Sequence, residues 1–317
     1  MKKIIVLSGP TASGKTSTSI KLAKLHGLEI INFDSLLFYR ELSIGTAKPT
    51  TQEMDGVPHH LIGTESIKRP INAATFFKNV IPIIETLLEK NITPLLVGGS
   101  GFYLQTILEG MYDSQTTPIE ISKRSDKLYQ DCGISPFIEE LKIVDPTSMN
   151  KLHSNDHYRV RRALEHYWAT GQSFSDSKTA LAQKKENGGP YLFAINKGWE
   201  VLHLYLDIPK SDHQKVIKER IENMLEYGFK EEVQSLLNSG FTGEEKPLQS
   251  VGYKQMQDYL NGKLTSTNDL KEKILIATRR LAKSQRTWFN KIKPKRTFNP
   301  LTDIKEVTDT VDSFMSV

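Results

Sequence analysis

The chain has 317 residues, of which 25% are charged and 38% hydrophobic, and its mean hydropathy is −0.40. These values exclude a disordered chain, a collagen-like chain and a membrane bundle. The single cysteine, Cys132, excludes an intramolecular disulfide and a zinc–thiolate cluster, while a formal net charge of +5 leaves a polyanionic partner open.

The N-terminus begins with lysines and a short apolar run, as a signal peptide does. That run covers only residues 4–7, which is too short for a secretion signal. No apolar stretch approaches the ~20 residues that a membrane-spanning helix requires. We therefore expect a cytoplasmic protein without a membrane partner, and we expect it to be a monomer.

Four short apolar runs predict strands, at residues 3–8, 29–33, 93–97 and 201–206. Runs of Ile, Val and Leu without alternation are typical of strands buried on both faces of a parallel sheet. Helical patterns lie between and after them, at residues 16–26, 73–90 and 212–238. Alternating strands and helices predict an α/β fold that binds ligands at the carboxyl ends of its strands.

The alternation stops between residues 112 and 191, where only helical patterns occur, such as the one at residues 156–170. We interpret this stretch as an all-helical insertion domain. The predicted domains are a first part of the core at residues 1–111, the insertion at 112–191 and a second part of the core at 192–317. The last of these carries basic helices and ends in a looser tail after Pro294.

The sequence Gly-Pro-Thr-Ala-Ser-Gly-Lys-Thr, residues 9–16, matches the phosphate-loop pattern between a predicted strand and a predicted helix. Backbone N–H groups of such a loop hold phosphate oxygens, aided by the positive end of the helix dipole. Lys15 adds a charge, and the Thr16 hydroxyl can bind Mg²⁺. The motif predicts a P-loop NTPase-like sheet flanked by helices, but it does not identify the phosphate compound.

A nucleotide hydrolase also needs an acidic residue at a strand end to hold Mg²⁺, and no apolar run closes in the usual acidic pattern. The best strand-end acid is Asp34, which Ser35 follows directly. A small-molecule kinase would use Asp34 to activate a hydroxyl, whereas another transferase would use it to accept a proton from a different nucleophile. A helix N-cap is the structural alternative for Asp34.

A second strand runs into a glycine turn, Gly98-Gly99-Ser100-Gly101. Such turns often only pack a helix against a strand. Beside the phosphate loop, however, this turn would form a second wall of the same cleft, with the Ser100 hydroxyl available to a ligand.

Two segments concentrate positive charge, residues 151–162 and 271–296, and the second has ten Lys or Arg against one acid. On a helix, Ile274, Leu281 and Trp288 lie seven residues apart and predict a buried stripe, with Arg286 on the opposite basic face. Each segment alone is typical of a solvated helix surface. Together beside a phosphate site, they favour a nucleic-acid partner.

The adjacent His59 and His60 do not predict a metal site, because neighbouring histidines rarely bind one ion and no further ligand completes a set. We expect a loop with one buried, hydrogen-bonded histidine. Cys132 has no evident activating neighbour, and we expect it to be inert.

Taken together, these motifs resemble the bacterial tRNA dimethylallyltransferases, also called tRNA isopentenyltransferases. The resemblance extends from the phosphate loop to the C-terminal helix. The most specific parts are Ile-Gly-Thr-Ala-Lys-Pro at residues 44–49, Gly252-Tyr253, and Thr-Arg-Arg-Leu-Ala-Lys-Ser-Gln-Arg-Thr-Trp at residues 278–288. Kinases with the same phosphate loop lack these parts.

The resemblance implies transfer of a dimethylallyl group from dimethylallyl diphosphate to N6 of the adenosine on the 3′ side of the tRNA anticodon, position 37. Diphosphate is the leaving group, which explains the missing acid of a nucleotide hydrolase. The implied partners are the tRNA anticodon stem-loop and dimethylallyl diphosphate, and the implied cofactor is Mg²⁺ at Thr16. The remaining alternatives are a P-loop kinase, which would bind ATP, and a non-catalytic RNA-binding protein.

The resemblance also assigns roles to individual residues. Asp34 would accept the N6 proton, Ser100 would orient the base, and Lys15 would act on the diphosphate. The implied diphosphate ligands are Gly9, Thr11, Ala12, Ser13, Gly14, Lys15, Thr16 and Arg220. The implied tRNA contacts are Asp34, Ser35, Leu36, Leu37, Ser100, Tyr158, Arg159, Val160, Arg161 and Arg162.

Two departures from the family pattern bear on these roles. The family usually has Thr where Ser100 stands, and the hydroxyl is kept. The family usually has Arg where Ser284 stands, so one expected cation is missing, and Arg286 is a candidate to replace it.

Overall fold

The computed structural model describes residues 2–110, 117–188 and 191–316. The chain divides into two compact units. One unit comprises Met1–Leu108 and Ala194–Val317, and the other is Glu109–Phe193. The first unit contains the sheet, and the second is helical.

The first unit is built on a parallel sheet of six strands in the order β3-β2-β4-β1-β5-β6. The central strand β1 pairs Ser8 with Gly98 on one side and with Tyr205 on the other. Strands β4, β2 and β3 lie on one side of β1, and β5 and β6 lie on the other. The order of strands therefore changes direction at β1, which is where α/β sheets bind ligands. The strands are β1 Lys2–Ser8, β2 Glu29–Asn32, β3 His59–His60, β4 Pro94–Gly98, β5 Trp199–Leu206 and β6 Arg296–Phe298.

Helices cover the sheet because parallel strands are apolar on both faces. One core cluster joins Leu7 and Leu204 of the sheet to Leu22 of α1 and Val311 of α15. The helices of this unit are α1 Lys15–His26, α2 Thr51–Met54, α3 Ala73–Glu89, α4 Gly101–Glu109, α11 Lys210–Glu226, α12 Phe229–Asn238, α13 Tyr253–Leu260, α14 Thr267–Phe289 and α15 Ile304–Ser316, with a 3₁₀ turn at Lys246–Gln249. The predicted α/β fold with a parallel sheet is therefore confirmed.

The second unit has a small core of its own. Phe137 and Leu141 of one helix pack with Val160, Ala163 and Leu164 of another. The Asp156 side chain accepts a hydrogen bond from Arg159 N–H and caps the second of these helices. The helices here are α5 Ile119–Cys132, α6 Ser135–Val144, α7 Pro146–Lys151, α8 His157–Thr170 and α9 Phe174–Gly188, while α10 Leu192–Asn196 begins in this unit and ends in the first.

Three local predictions were wrong. The helical pattern at residues 212–238 forms two helices, because Gly228 adopts φ 93° between α11 and α12. His59 and His60 form the short strand β3 rather than a loop. The tail after Pro294 contains strand β6 and helix α15, whose Val307 and Val311 are buried.

No described helix combines the length and apolar character that crossing a bilayer requires. The longest one, α14, has 23 residues and includes charged side chains along its length. This agrees with the absence of a long apolar run in the sequence.

A histidine is buried in the sheet beside the phosphate loop. His203 of β5 is 3% exposed, and its Nε2 lies 2.7 Å from Ser8 Oγ at the end of β1. Burial and, to a smaller extent, the Lys295 cation lower the pKa of His203 to about 3. The folded protein therefore holds this imidazole neutral.

We expect acid to destabilise the fold through His203. The unfolded chain binds a proton at this histidine below pH 6.5, whereas the folded chain does not until its pKa near 3 is reached. The contribution of the neutral His203 to the free energy of unfolding is present above pH 6.5. About 2 kcal/mol of it is lost between pH 7 and pH 5. Urea unfolding at both pH values measures this loss.

The His203→Gln variant should lack that part of the pH dependence, whatever its absolute stability. His153→Gln, at an exposed position, is the matched control and should keep the wild-type pH dependence. Equal slopes in wild type and His203→Gln would contradict the prediction.

Candidate active site

Three turns meet at the carboxyl edge of the sheet. The phosphate loop follows β1, Asp34 follows β2, and the Gly98–Gly101 turn follows β4. Because these strands are neighbours in the sheet, their ends lie side by side. The three sequence motifs are thus brought to one place by the topology alone.

The phosphate loop has the conformation of an anion-binding turn. Ala12 and Gly14 adopt positive φ values of 59° and 74°, and α1 begins at Lys15 without a side-chain cap. The uncapped N–H groups of its first turn face the loop with the positive end of the helix dipole. The Ser13 hydroxyl is buried, and no hydrogen-bond partner is present for it among the described residues. A phosphate oxygen would satisfy these donors.

Lys15 lies across the loop. Its Nζ donates hydrogen bonds to the carbonyl oxygens of Gly9, at 3.0 Å, and Pro10, at 2.7 Å. The pKa of Lys15 is lowered to about 8, because desolvation and the Arg220 cation together outweigh the Asp34 carboxylate, which raises it. The three charged groups therefore interact electrostatically in one site.

Thr11 differs from the predicted diphosphate ligands. Its N–H donates to Gln285 Oε1 at 2.8 Å, so this amide is already occupied by a side chain of α14. Its carbonyl oxygen lies 2.8 Å from His213 Nε2. Thr11 N–H would have to exchange Gln285 for a diphosphate oxygen in order to act as a ligand, and that role stays a prediction.

Asp34 is held by a polar side chain from its own strand. Asn32, which is 2% exposed, accepts from Asp34 N–H at 2.8 Å and donates to the Asp34 carbonyl at 3.1 Å. The Asp34 carboxylate accepts from Leu36 N–H at 3.2 Å, a turn that fixes its orientation. The sequence did not identify Asn32, although a polar residue within a buried apolar run was a usable indication.

The glycine turn after β4 contacts the turn after β2. Ser100 Oγ accepts a hydrogen bond from Ser35 N–H at 3.0 Å, which leaves its own hydrogen available to a ligand. A Cβ at Gly99 would lie 3.3 Å from Asp34 Oδ2 and 2.6 Å from Gln285 Nε2. A Cβ at Gly101 would lie 2.0 Å from the Trp288 ring, so this turn admits only glycine there.

The turn after β2 and the turn after β4 border a cleft of about 400 Å³. Ser35, Leu36 and Ser100 line one part of it, while Gln285 and Trp288 of α14 line another. Ser284, which stands where the family usually has Arg, also lines the cleft. Arg286 does not replace that cation: it donates to Asp207 Oδ1 at 2.7 Å and to His213 Nδ1 at 2.9 Å, behind the phosphate loop.

Arg220 reaches the site from α11. Its guanidinium donates to the Thr46 carbonyl at 3.0 Å, and the Asp34 carboxylate partly offsets the lowering of its pKa by desolvation. The loop that carries Thr46 is itself anchored by Glu232, whose carboxylate accepts from Ile44 N–H at 2.7 Å and Tyr253 O–H at 2.6 Å. The motif at residues 44–49 therefore helps to hold the Arg220 guanidinium in the site.

The predicted RNA-contacting residues of α8 do not share one environment. Val160 is fully buried in the core of the helical unit, so its side chain is not available to RNA. Arg161 donates to Ser125 and Asp126 of α5, and its guanidinium lies 4.7 Å from the Tyr129 ring centroid. Arg159, in contrast, is 67% exposed.

This difference yields a paired prediction. Arg161→Gln should lower the thermal midpoint of the helical unit, because it removes a charged group from an α5–α8 network and costs about 1–3 kcal/mol. Arg159→Gln should leave the midpoint unchanged but reduce the slope of log affinity for tRNA against log salt by about 1. Calorimetric melting and salt titration of tRNA binding measure the two effects, and a reversed pattern would contradict the assignment.

The two adjacent histidines have ordinary local partners. His59 Nδ1 donates to the Val57 carbonyl at 2.7 Å, and His60 Nε2 donates to Glu29 at 2.6 Å. Across the described ranges, no group of three or more His, Cys, Asp or Glu side chains is placed to hold a metal ion. Any metal here would depend on hydroxyl and phosphate oxygens.

The geometry agrees with comparisons to known proteins. A family model described as IPP transferase matches residues 37–292. The chain belongs to the IPP transferase family. The matched region includes the Gly98–Gly101 turn, Arg220 and Gln285, all of which border the site described above.

Individual relatives of the IPP transferase family span nearly the whole chain. A tRNA dimethylallyltransferase of Alkaliphilus metalliredigens is 36% identical over 306 residues, covering 95% of this chain and 93% of the relative. A tRNA isopentenylpyrophosphate transferase from Bacillus halodurans has a TM-score of 0.69 at 29% identity, covering 99% of this chain and 96% of that one. A eukaryotic dimethylallyltransferase acting on tRNA has a TM-score of 0.83 at 25% identity, covering 100% of this chain and 80% of that one.

Proposed function

We propose that the protein transfers the dimethylallyl group of dimethylallyl diphosphate to N6 of the adenosine at position 37 of tRNA and releases diphosphate. The observation that carries the proposal is that the phosphate loop and the Asp34 carboxylate both lie next to Gly99, in a chain of the IPP transferase family. The phosphate loop, whose buried Ser13 hydroxyl has no hydrogen-bond partner in the part of the chain that the structure describes, lies on one side, and the Asp34 carboxylate lies on the other.

The phosphate loop would stabilise the leaving group. As the C1–O bond of the donor breaks, its electron pair passes to the diphosphate oxygen, and negative charge grows there. The first-turn N–H groups of α1, Lys15 and Arg220 supply donors and positive charge at that point, so their effect is greatest in the transition state. The allyl cation that forms is stabilised by delocalisation.

Asp34 would act on the other reactant. The N6 lone pair of adenine forms the new C–N bond, and the N6 proton passes to the Asp34 carboxylate. Asn32 holds the backbone of Asp34, Leu36 N–H holds its carboxylate, and Ser100 retains a hydrogen with which to orient the base. The adenine reaches the cleft only after leaving its stack, which costs a few kcal/mol.

We also propose Mg²⁺ as the cofactor, with Thr16 as its protein ligand. The oxygen donors in the loop, the Thr16 hydroxyl and the unpartnered Ser13 hydroxyl, suit a hard cation that takes most of its ligands from phosphate and water. When bound, Mg²⁺ neutralises charge on the diphosphate. Cytoplasmic location and a monomeric state stay predictions from the sequence.

The proposal is tested by incubating the protein with an unmodified tRNA transcript, Mg²⁺ and dimethylallyl diphosphate labelled in the allyl group. Label should enter the RNA with release of one equivalent of diphosphate. A transcript with guanosine at position 37 is the control and should remain unlabelled. Absence of label from both transcripts, with a thermal shift produced by ATP and not by dimethylallyl diphosphate, would instead support the kinase alternative.

A further inference from the structure

The backbone N–H and carbonyl oxygen of Thr11 both form hydrogen bonds with side chains that are far away in the sequence. Gln285 accepts from its N–H, and His213 Nε2 donates to its carbonyl oxygen. Because Arg286 donates to His213 Nδ1, that nitrogen is the acceptor and Nε2 carries the proton. Two adjacent residues of α14 therefore fix the same turn of the phosphate loop, one directly and one through a histidine.

Gln285 has a second partner across the cleft. Its Nε2 donates to the Gly99 carbonyl oxygen at 3.0 Å, while its Oε1 is engaged by Thr11 at 2.8 Å. One amide thus joins the phosphate loop to the turn that carries Ser100. The side chain is half-buried and lines the cleft.

We infer that Gln285 is a positioning residue that sets the distance between the diphosphate half and the acceptor half of the active site. This inference rests on the proposed function. The Thr11 bond fixes the entrance of the phosphate loop, and the Gly99 bond fixes the turn that presents Ser100 beside Asp34. Reaction between two bound substrates depends steeply on such spacing, so a loose amide bridge lowers the rate of transfer as well as donor affinity.

The same geometry assigns a narrower role to His213. It contacts the phosphate loop but is not bonded to the Gly99 turn in the described structure. Loss of His213 should therefore affect donor binding without altering the acceptor side. The two residues provide an internal comparison, since only Gln285 bridges both halves.

The test uses Gln285→Met, which keeps the length of the side chain and removes both hydrogen bonds. We expect the Kd for pyrophosphate with Mg²⁺ to rise about tenfold by calorimetry and kcat to fall about tenfold or more. The KM for tRNA should stay within about twofold. Gln234→Met, the same change on an exposed face of α12, is the matched control and should behave as wild type.

A double-mutant cycle with Ser100→Ala separates positioning from general support of the fold. If Gln285 acts through the Gly99 turn, the kcat losses of Gln285→Met and Ser100→Ala are not additive, whereas those of His213→Gln and Ser100→Ala are. Additive losses for Gln285 and Ser100, or an unchanged Kd for pyrophosphate in Gln285→Met, would overturn the inference.

A second variant and an RNA-free measurement complete the test. If Gln285→Met does not fold, Gln285→Asn, which is too short to span both partners, is expected to show the same rise in Kd and fall in kcat. Pyrophosphate binding needs no RNA, so a wild-type protein that fails to label tRNA would refute the proposed function, while an unchanged Kd for pyrophosphate in Gln285→Met would separately overturn the inference about Gln285.

Discussion

Asp34→Asn should lower turnover by about two to four orders of magnitude while leaving tRNA affinity within about twofold of wild type. The amide keeps the size of the carboxylate and its acceptor for Leu36 N–H, but it does not take up the N6 proton. Single-turnover transfer of label to tRNA measures the rate, and filter binding measures affinity.

Asp55→Asn is the control, because Asp55 pairs with Lys24 on the exposed surface away from the three turns. It should retain wild-type turnover. Equal losses of rate and tRNA affinity in Asp34→Asn would show that Asp34 serves in docking rather than in proton transfer.

Lys15→Met should lower kcat by about two to three orders of magnitude and weaken pyrophosphate binding as well. The ammonium group donates to the loop carbonyls of Gly9 and Pro10, which hold it at the phosphate loop, where it would stabilise the negative charge of the leaving diphosphate. Lys21→Met, an exposed lysine of α1, is the matched control and should leave both quantities unchanged.

The lowered pKa of Lys15 adds a pH dependence with a definite sign. Its pKa of about 8 means that the cation is present at pH 7 and is lost as the pH rises to 9. Pyrophosphate affinity should therefore fall by about tenfold over that interval. Lys15→Arg keeps its charge at these pH values and should bind with a smaller dependence; an identical decline in both proteins would contradict the assignment to Lys15.

Much of the fold was predictable because its determinants are local. The four apolar runs correspond to β1, β2, β4 and β5, and the phosphate-loop pattern correctly placed a turn between β1 and α1. Strand β6 was not predicted, since only Phe298 of its three residues is buried and its pairing partner is β5. Short strands of this kind depend on a neighbour rather than on their own composition.

The prediction for α14 shows a limit of residue spacing. The seven-residue stripe correctly included Ile274, but Leu281 is 37% exposed. The buried positions instead continue from Ile274 at intervals of four residues, through Thr278 and Ala282. The side chains of Thr278 and Ala282 are small and only weakly hydrophobic, so they do not stand out in the sequence. A strict seven-residue repeat drifts around a straight helix, so it misplaces side chains at a distance from its starting point. It also placed Arg286 on the wrong face.

The active site was predictable in its motifs but not in its supports. Lys15 and Asp34 belong to recognisable local patterns, whereas Glu232 and Gln285 act through hydrogen bonds to distant segments. Glu232, for example, accepts a hydrogen bond from the backbone of Ile44, which lies 188 positions earlier in the chain. No local pattern specifies such a pairing, because it exists only after the sheet and its helices have assembled.

The bond from Thr11 to Gln285 spans 274 positions, nearly the whole length of the polypeptide. During synthesis, the N-terminal strand and its glycine-rich turn leave the ribosome long before α14 has been made. A nascent chain at that stage has the residues that we propose bind pyrophosphate but lacks the helix whose Gln285 is bonded to Thr11. Translation must therefore pass residue 285 before this bond can form, and truncation before that residue should abolish it even when the upstream segments are complete.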